Sequence, residues 1–237
     1  PKGLTGNDIS EDDAKNKINE VFGSENIKEI SSLGENENSE LPSYNFSLKN
    51  QNDENITIAI TKKGGHIVYF NCNRDVGEEK LSYEDANQKG MEFLNYLGIE
   101  NMKETYYLNE NGIITINYAY NQNDVVIYPD LIKIKVALDN GEILGIETKG
   151  YLNNHMERNI SQNVISIESA KKKLNKNLNI QSEGLAIIPT EYKTEILCYE
   201  FKGKIDDNEF LVYINAGTGE EEDILIVYNT PNGVLTM

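Results

Sequence analysis

Few of the residues that do chemistry at active sites occur in this chain. Its 237 residues include two histidines, two cysteines and no tryptophan. No His-Glu-x-x-His and no Cys-x-x-Cys pairing exists, so no zinc motif is offered. His66 falls at an expected hairpin tip and His155 in a polar linker, where a solvated ring is the ordinary reading. No Gly-x-Ser-x-Gly and no Ser/His/Asp grouping stands out. Gly217-Thr218-Gly219 lacks a third glycine and follows no β–α step, which argues against nucleotide binding. No catalytic, cofactor-binding or metal-ligating residue is therefore expected.

Basic residues are also scarce, at 22 Lys and Arg against 39 Asp and Glu, and the net charge is −17. That balance argues against nucleic acid and against anionic lipid, and otherwise keeps the protein soluble. No apolar run nears the ~18 residues that span a bilayer. Pro1 opens the chain with neither initiator methionine nor signal peptide, the expectation for a segment of a longer parent that could carry an anchor. The acid run Glu220 to Asp223 lacks the spaced oxygens and glycine of a calcium loop and reads as a solvated turn. Paired carboxylates for glycoside cleavage stay open, because an acid-rich chain always offers pairs; no acid sits in an evidently apolar setting.

What is present is alternation. Ile132, Ile134, Val136 and Leu138 alternate with Lys133, Lys135 and Ala137, the period-two pattern of a half-buried strand. Asp139-Asn140-Gly141 is turn chemistry. A two-residue loop would set Val136 opposite Gly145. A three-residue loop, 139–141, sets Val136 opposite Leu144 and Ile134 opposite Ile146, and only this gives both strands one apolar face. A type I turn closed by a bulge at Gly141 follows. Around Gly65 the same register faces Ile60 to Val68, Ile58 to Phe70 and Ile56 to Cys72. Around Gly219 it faces Val212 to Ile224, Phe210 to Ile226 and, imperfectly, Ile214 to Glu222. The glycines lie 76 and 78 residues apart, which argues for a threefold repeat. Cys72 falls on an inward face, and Cys72 and Cys198 read as buried free thiols, with a bridge between them as the alternative.

Each hairpin follows an apolar residue, a serine, an acidic first turn and an alanine: Ile9-Ser10 to Ala14, Leu81-Ser82 to Ala86, Ile165-Ser166 to Ala170. Serine caps the first amides, acids suit the helix dipole, and the residue before serine staples to the alanine. The buried stripes are Ala14, Ile18, Val21 and Phe22; Ala86, Gly90, Phe93, Leu94 and Leu97; and Ala170, Leu174 and Leu178. Further strands, at Tyr44 to Leu48, Ile114 to Tyr120 and Cys198 to Gly203, precede the hairpins. The expected fold class is α+β: three tandem units, residues 1–77, 78–157 and 158–237, each a helix packed on a small antiparallel sheet. Units of this size are marginal alone and should pack together. Fourteen tyrosines are present. Tyrosine suits interfaces, and Tyr118, Tyr120, Tyr128 and Asp130 depart most from simple core patterning. They are the candidate partner-binding residues; ordinary packing is the alternative.

The third segment, with Tyr199-Glu200-Phe201 and then Phe210 through Tyr213-Ile214-Asn215-Ala216-Gly217-Thr218-Gly219-Glu220, resembles the PepSY domain of protease propeptides and germination proteins. Three further stretches resemble the YpeB-like family of spore germination proteins: Pro1 to Leu4; Tyr128 to Glu142 with Gly150 to His155; and Thr230 to Met237. The resemblance implies a non-enzymatic protein at the outer face of the spore inner membrane, held by an anchor in a missing N-terminal segment. It implies a partner, a SleB-type cortex-lytic enzyme (a lytic transglycosylase), which it stabilises, localises or restrains until germination. It implies no cofactor. A protease-inhibitory PepSY module and a peptidoglycan-acting enzyme are the alternatives, and a homo-oligomer through exposed sheet edges is open.

Overall fold

Two of the three serine-led segments start helices as their local chemistry dictates. Ser10 caps α1 (Glu11–Phe22) and Ser82 caps α2 (Tyr83–Tyr96). Each hydroxyl accepts from the amide of Asp13 or Asp85, whose carboxylate accepts in turn from the serine amide. The computed structural model that shows this describes residues 1–192, 194–230 and 233–236; Pro231, Asn232 and Met237 of the C-terminal resemblance lie outside the described residues. A short helix, α3 (Lys149–Asn154), follows β8 and ends just before His155.

The third helix is not what the stripe Ala170, Leu174, Leu178 predicts. Ser166 caps it, but α4 runs only Ile167–Lys171. The residue three beyond the cap is Ser169, so no carboxylate returns to the serine amide. The Asn175 side chain then accepts from Asn177 N at 2.9 Å and turns the backbone away from helix. Leu174 is still buried, packed from a turn.

Among the described residues there are thirteen strands: β1 (Ile27–Asn36), β2 (Ser43–Asn50), β3 (Asn55–Thr61), β4 (Ile67–Asn73), β5 (Met102–Glu110), β6 (Ile113–Gln122), β7 (Val125–Ala137), β8 (Ile143–Glu147), β9 (Asn179–Pro189), β10 (Glu195–Ile205), β11 (Asn208–Asn215), β12 (Glu221–Thr230) and β13 (Gly233–Thr236). The predicted hairpin registers hold in their bodies: Ile58 faces Phe70, Ile56 faces Cys72, Ile134 faces Ile146, Val212 faces Ile224 and Phe210 faces Ile226. At each tip the pairing slips by one residue. Ile60 meets Ile67, Val136 meets Ile143 and Ile214 meets Glu221, because the bulge lies at the same place in all three hairpins. Gly65, Gly141 and Gly219 take φ of +67°, +79° and +76° there. A β-carbon on any of them would come within about 3.1–3.2 Å of Ile9, Leu81 or Ile165, the residue preceding each helix cap.

These are not three small sheets. The strands form one mostly antiparallel sheet in the order β1-β2-β3-β4-β8-β7-β6-β5-β13-β12-β11-β10-β9, and the fold is mixed with few helices. β4 and β8 join edge to edge, with α1 and α2 on one face. Phe22 and Phe93 both meet Phe70 edge-on, at 5.1 and 6.0 Å. The start of β7 also runs parallel to β9, and β13 bridges to β5. β7-β6-β5-β13-β12-β11-β10-β9 thus close into an eight-stranded ring with its own interior of Ala186, Cys198, Leu211, Tyr213 and Val227. Cys72 and Cys198 are buried free thiols in separate clusters, as the pattern predicts.

In α2, Gly90 lies under the Tyr118 ring; a β-carbon there would stand 2.2 Å from Tyr118 Oη. Gly→Ala in an open helix gains about 1 kcal/mol. Here overpacking decides the sign, and Gly90→Ala should lower stability by roughly 1–3 kcal/mol in urea denaturation. Gly90→Ala combined with Tyr118→Phe should recover part of it; no recovery would show that the clash is not with the hydroxyl.

Candidate functional site

The polar residues of the middle segment converge where it meets the third, and an arginine organises them. The side chain of Arg158, in the linker after α3, is 6% exposed. Its Nη1 and Nη2 donate to both oxygens of Asp130 on β7, at 2.9 and 2.7 Å. Nε and Nη2 donate to Glu195, the first residue of β10, at 2.8 and 2.7 Å. Such two-pronged pairs fix position as well as charge. Burial disfavours the guanidinium charge, but Glu195 and Asp130 more than offset it and raise its pKa above the ordinary value.

Three of the four candidate partner-binding residues, Tyr118, Tyr120 and Asp130, are buried, and Tyr128 is half-buried. Asp130 is 0% exposed; besides Arg158 it contacts His155 Nδ1 at 2.9 Å. His155 is therefore not a solvated linker histidine: it stacks on Tyr151, 4.1 Å between centroids, with Tyr120 edge-on at 4.6 Å. Tyr120 Oη donates to Glu157 at 2.8 Å. Burial, then Glu157, pushes the Tyr120 hydroxyl up to about 12. Tyr118 is remote from this group and fully buried, its hydroxyl donating to Asn87 Oδ1 at 2.9 Å. Tyr128 points into the ring. Its Oη and that of Tyr213 both donate to Glu200 Oε2, at 2.6 and 2.7 Å. Burial and then Glu200 hold both hydroxyls well above the usual phenol range. They are committed donors, not bases. Alternation along a strand shows which side chains share a face, not whether another segment will cover that face; this is why residues that looked like a surface are interior.

A second arginine repeats the arrangement one joint earlier. Arg74 Nη1 and Nη2 donate to Asp139, each at 2.9 Å, Nε donates to Glu142 at 2.8 Å and Nη2 to Asn140 at 2.9 Å. Asp139 also accepts from Gly77 N. Arg74, and then that amide, hold the Asp139 carboxyl well below the usual carboxylate range. Sequence reasoning missed both clamps, although a signal was there: these are the two arginines of the chain, and each stands eight residues before a capping serine.

Among the described residues, Glu54, Cys72 and Glu142 could supply ligands to a cation, their atoms lying within 4.8 Å of one another. Glu142 is already engaged by Arg74 and Glu54 by Asn50 Nδ2. Burial, then the two carboxylates, pushes the Cys72 thiol up to about 11, so it is no ready nucleophile. His66 and His155 line one cleft of about 780 Å³, where His66 Nε2 meets the Thr5 carbonyl at 2.8 Å. The chemistry assembled here is that of fastening, with donors and acceptors consumed by one another.

Arg158→Met leaves Asp130 buried without its partner and should cost about 3–5 kcal/mol in urea denaturation. Arg158→Met with Asp130→Leu should cost less than the single change. Asp139 sets a pH dependence. Its folded pKa lies below the unfolded value of about 3.9, so its stabilisation is fully present above the unfolded value and is lost as pH falls through the folded one. Acid titration followed by tyrosine fluorescence should show a shallower acid limb for Asp139→Asn.

The family described as "YpeB sporulation, PepSY1 and PepSY2 domains" matches residues 1–161, and "Peptidase propeptide and YPEB domain" matches residues 164–225. "Sporulation protein YpeB" of Bacillus subtilis is 35% identical over 226 residues, 93% of this chain and 50% of that protein. Its namesake in Oceanobacillus iheyensis is 34% identical over 221 residues, 93% and 49%. The chain thus spans about half the length of these relatives. A solved "Bacillus megaterium YpeB C-terminal domain" superposes with a TM-score of 0.85 at 30% identity, covering 94% of this chain and 100% of that one.

Proposed function

Because the chain belongs to the YpeB sporulation family, with the sporulation and germination role that family carries, we propose that it is a non-enzymatic holder of a SleB-type cortex-lytic enzyme. In this reading it stabilises, localises or restrains that enzyme in the dormant spore until germination. It works at the outer face of the inner membrane, anchored through a part of the parent protein N-terminal to these residues. Among the described residues no helix is long and apolar enough to cross a membrane.

The observation that carries the reading is the match to YpeB proteins over 93% of the chain. The interior supports it. Across the joint between the second and third segments, Asp130 and Glu195 are both bound by Arg158, and Glu200 is bound by Tyr128. Tyr118, Tyr120, Tyr128 and Asp130 then serve partner binding by fixing the shape of the array rather than by touching the enzyme.

The test is calorimetric titration of the chain against purified SleB-type enzyme, with lytic activity followed in parallel. Binding with loss of activity makes the chain a restraint; binding with activity unchanged makes it a holder. Absence of heat with both this chain and the full ectodomain would overturn the reading. The description of the match over residues 164–225 favours one second reading, a protease-inhibitory module. Dose-dependent inhibition of a metalloprotease would support it, and digestion of the chain without inhibition would remove it.

A further inference from the structure

One face of the third segment is bare where its counterparts are covered. β12 carries three large apolar side chains at alternate positions on its outer face: Ile224, 46% exposed, Ile226, 37%, and Tyr228, 41%. Ile224 stands five residues past its bulge glycine, as Phe70 does past Gly65 and Ile146 past Gly141. Those two are each 3% exposed.

The difference has a visible cause. β4 and β8 bury each other, with Tyr69 opposite Glu147, Phe70 opposite Ile146 and Asn71 opposite Gly145. Counted from the two glycines, the fifth position meets the fifth, and the fourth and sixth meet each other. The register is therefore its own mirror under a two-fold axis, so this edge is complementary to a copy of itself. β12 offers the same stretch. Among the described residues β13 accompanies it only over Val227 to Thr230, leaving Asp223 to Leu225 without a strand on that side. The Ile224 amide donates instead to the adjacent Asp223 Oδ1, at 2.8 Å. The five-residue α4 does not reach over this face as the longer helices do over theirs.

We propose that β12 is an interface between two copies of this chain, formed by antiparallel β12–β12 pairing in the register that β4 and β8 use. Ile224 then lies opposite its own counterpart in the second copy. In that register the acids do not collide: Asp223 faces Leu225 and Glu222 faces Ile226. A second copy is the favoured occupant because the chain already demonstrates this edge-to-edge fit within itself. Three residue pairs and three apolar side chains fall below the ~800 Å² per partner of a standard interface, so the dimer is weak and concentration-dependent. The inference stands apart from the proposed enzyme partner.

Opposed residues of an antiparallel pair have β-carbons about 4.5–5.5 Å apart, close enough for a disulfide after slight movement. The Ile224→Cys chain should form a covalent dimer under mild oxidation, and Tyr192→Cys, exposed but off this face, should not. Cys72 and Cys198 stay silent, being buried with thiols pushed up to about 11 and about 12. Sedimentation equilibrium of the unmodified chain should show the mass doubling as concentration rises, and Ile224→Lys should abolish the doubling. A monomer at every concentration, with position 224 cross-linking no faster than position 192, would overturn the proposal and leave the face to a different protein.

Discussion

The two arginines hold the rest of the molecule in place. Each sits in a linker with its side chain buried and binds two carboxylates: Asp139 and Glu142 of the β7–β8 turn for Arg74, and Asp130 of β7 with Glu195 of β10 for Arg158. Arg74 seats the end of the first segment on the β7–β8 turn of the second, and Arg158 joins β7 of the second segment to β10 of the third. A buried guanidinium is costly without such partners and tolerable with them, so the joints have one good arrangement and no close competitors. A chain of bulged hairpins has many ways of stacking; the clamps select among them.

Given those joints, backbone pairing does the rest. β4 meets β8 along an edge, and the start of β7 turns from β8 to β9, so hydrogen bonding passes through all three segments. Edges are where a sheet is open to other chains, and pairing them internally removes most of that exposure. It also creates the ring interior, where Tyr128 and Tyr213 share the Glu200 carboxylate. What would be a liability on a surface becomes a saturated polar core. The third segment, whose capping box is incomplete, is the part the internal pairing does not fully cover.

The family to which the chain belongs is a sporulation family. The proposed role, holding an enzyme through dormancy, asks for persistence of shape more than catalytic strain. The features on display are those of persistence: bidentate ion pairs, buried aromatic edges, thiols and phenols held in their protonated forms.

How much of this was legible follows from the range of each interaction. The hairpins were, because alternation and turn chemistry act over a few residues; the observed registers match in the body and differ by one at the bulge. The first two helices were, because Ser10 with Asp13 and Ser82 with Asp85 complete their caps within three residues. The third was legible only in part: the serine was plain, but the missing acid at position 169 mattered more than the apolar stripe. The site was not legible. Tyr118, Tyr120, Tyr128 and Asp130 were visible as unusual residues, yet their partners Asn87, Glu157, Glu200 and Arg158 lie 28 to 72 positions away in the chain. Local patterning determined the hairpins, the strand before each, their turns and the fact of repetition, but not β1, β5, β9 or β13. Whether three repeats make three small sheets or one closed and continuous one was decided by edge pairing and buried charge, which depend on neighbours that only the folded chain brings together.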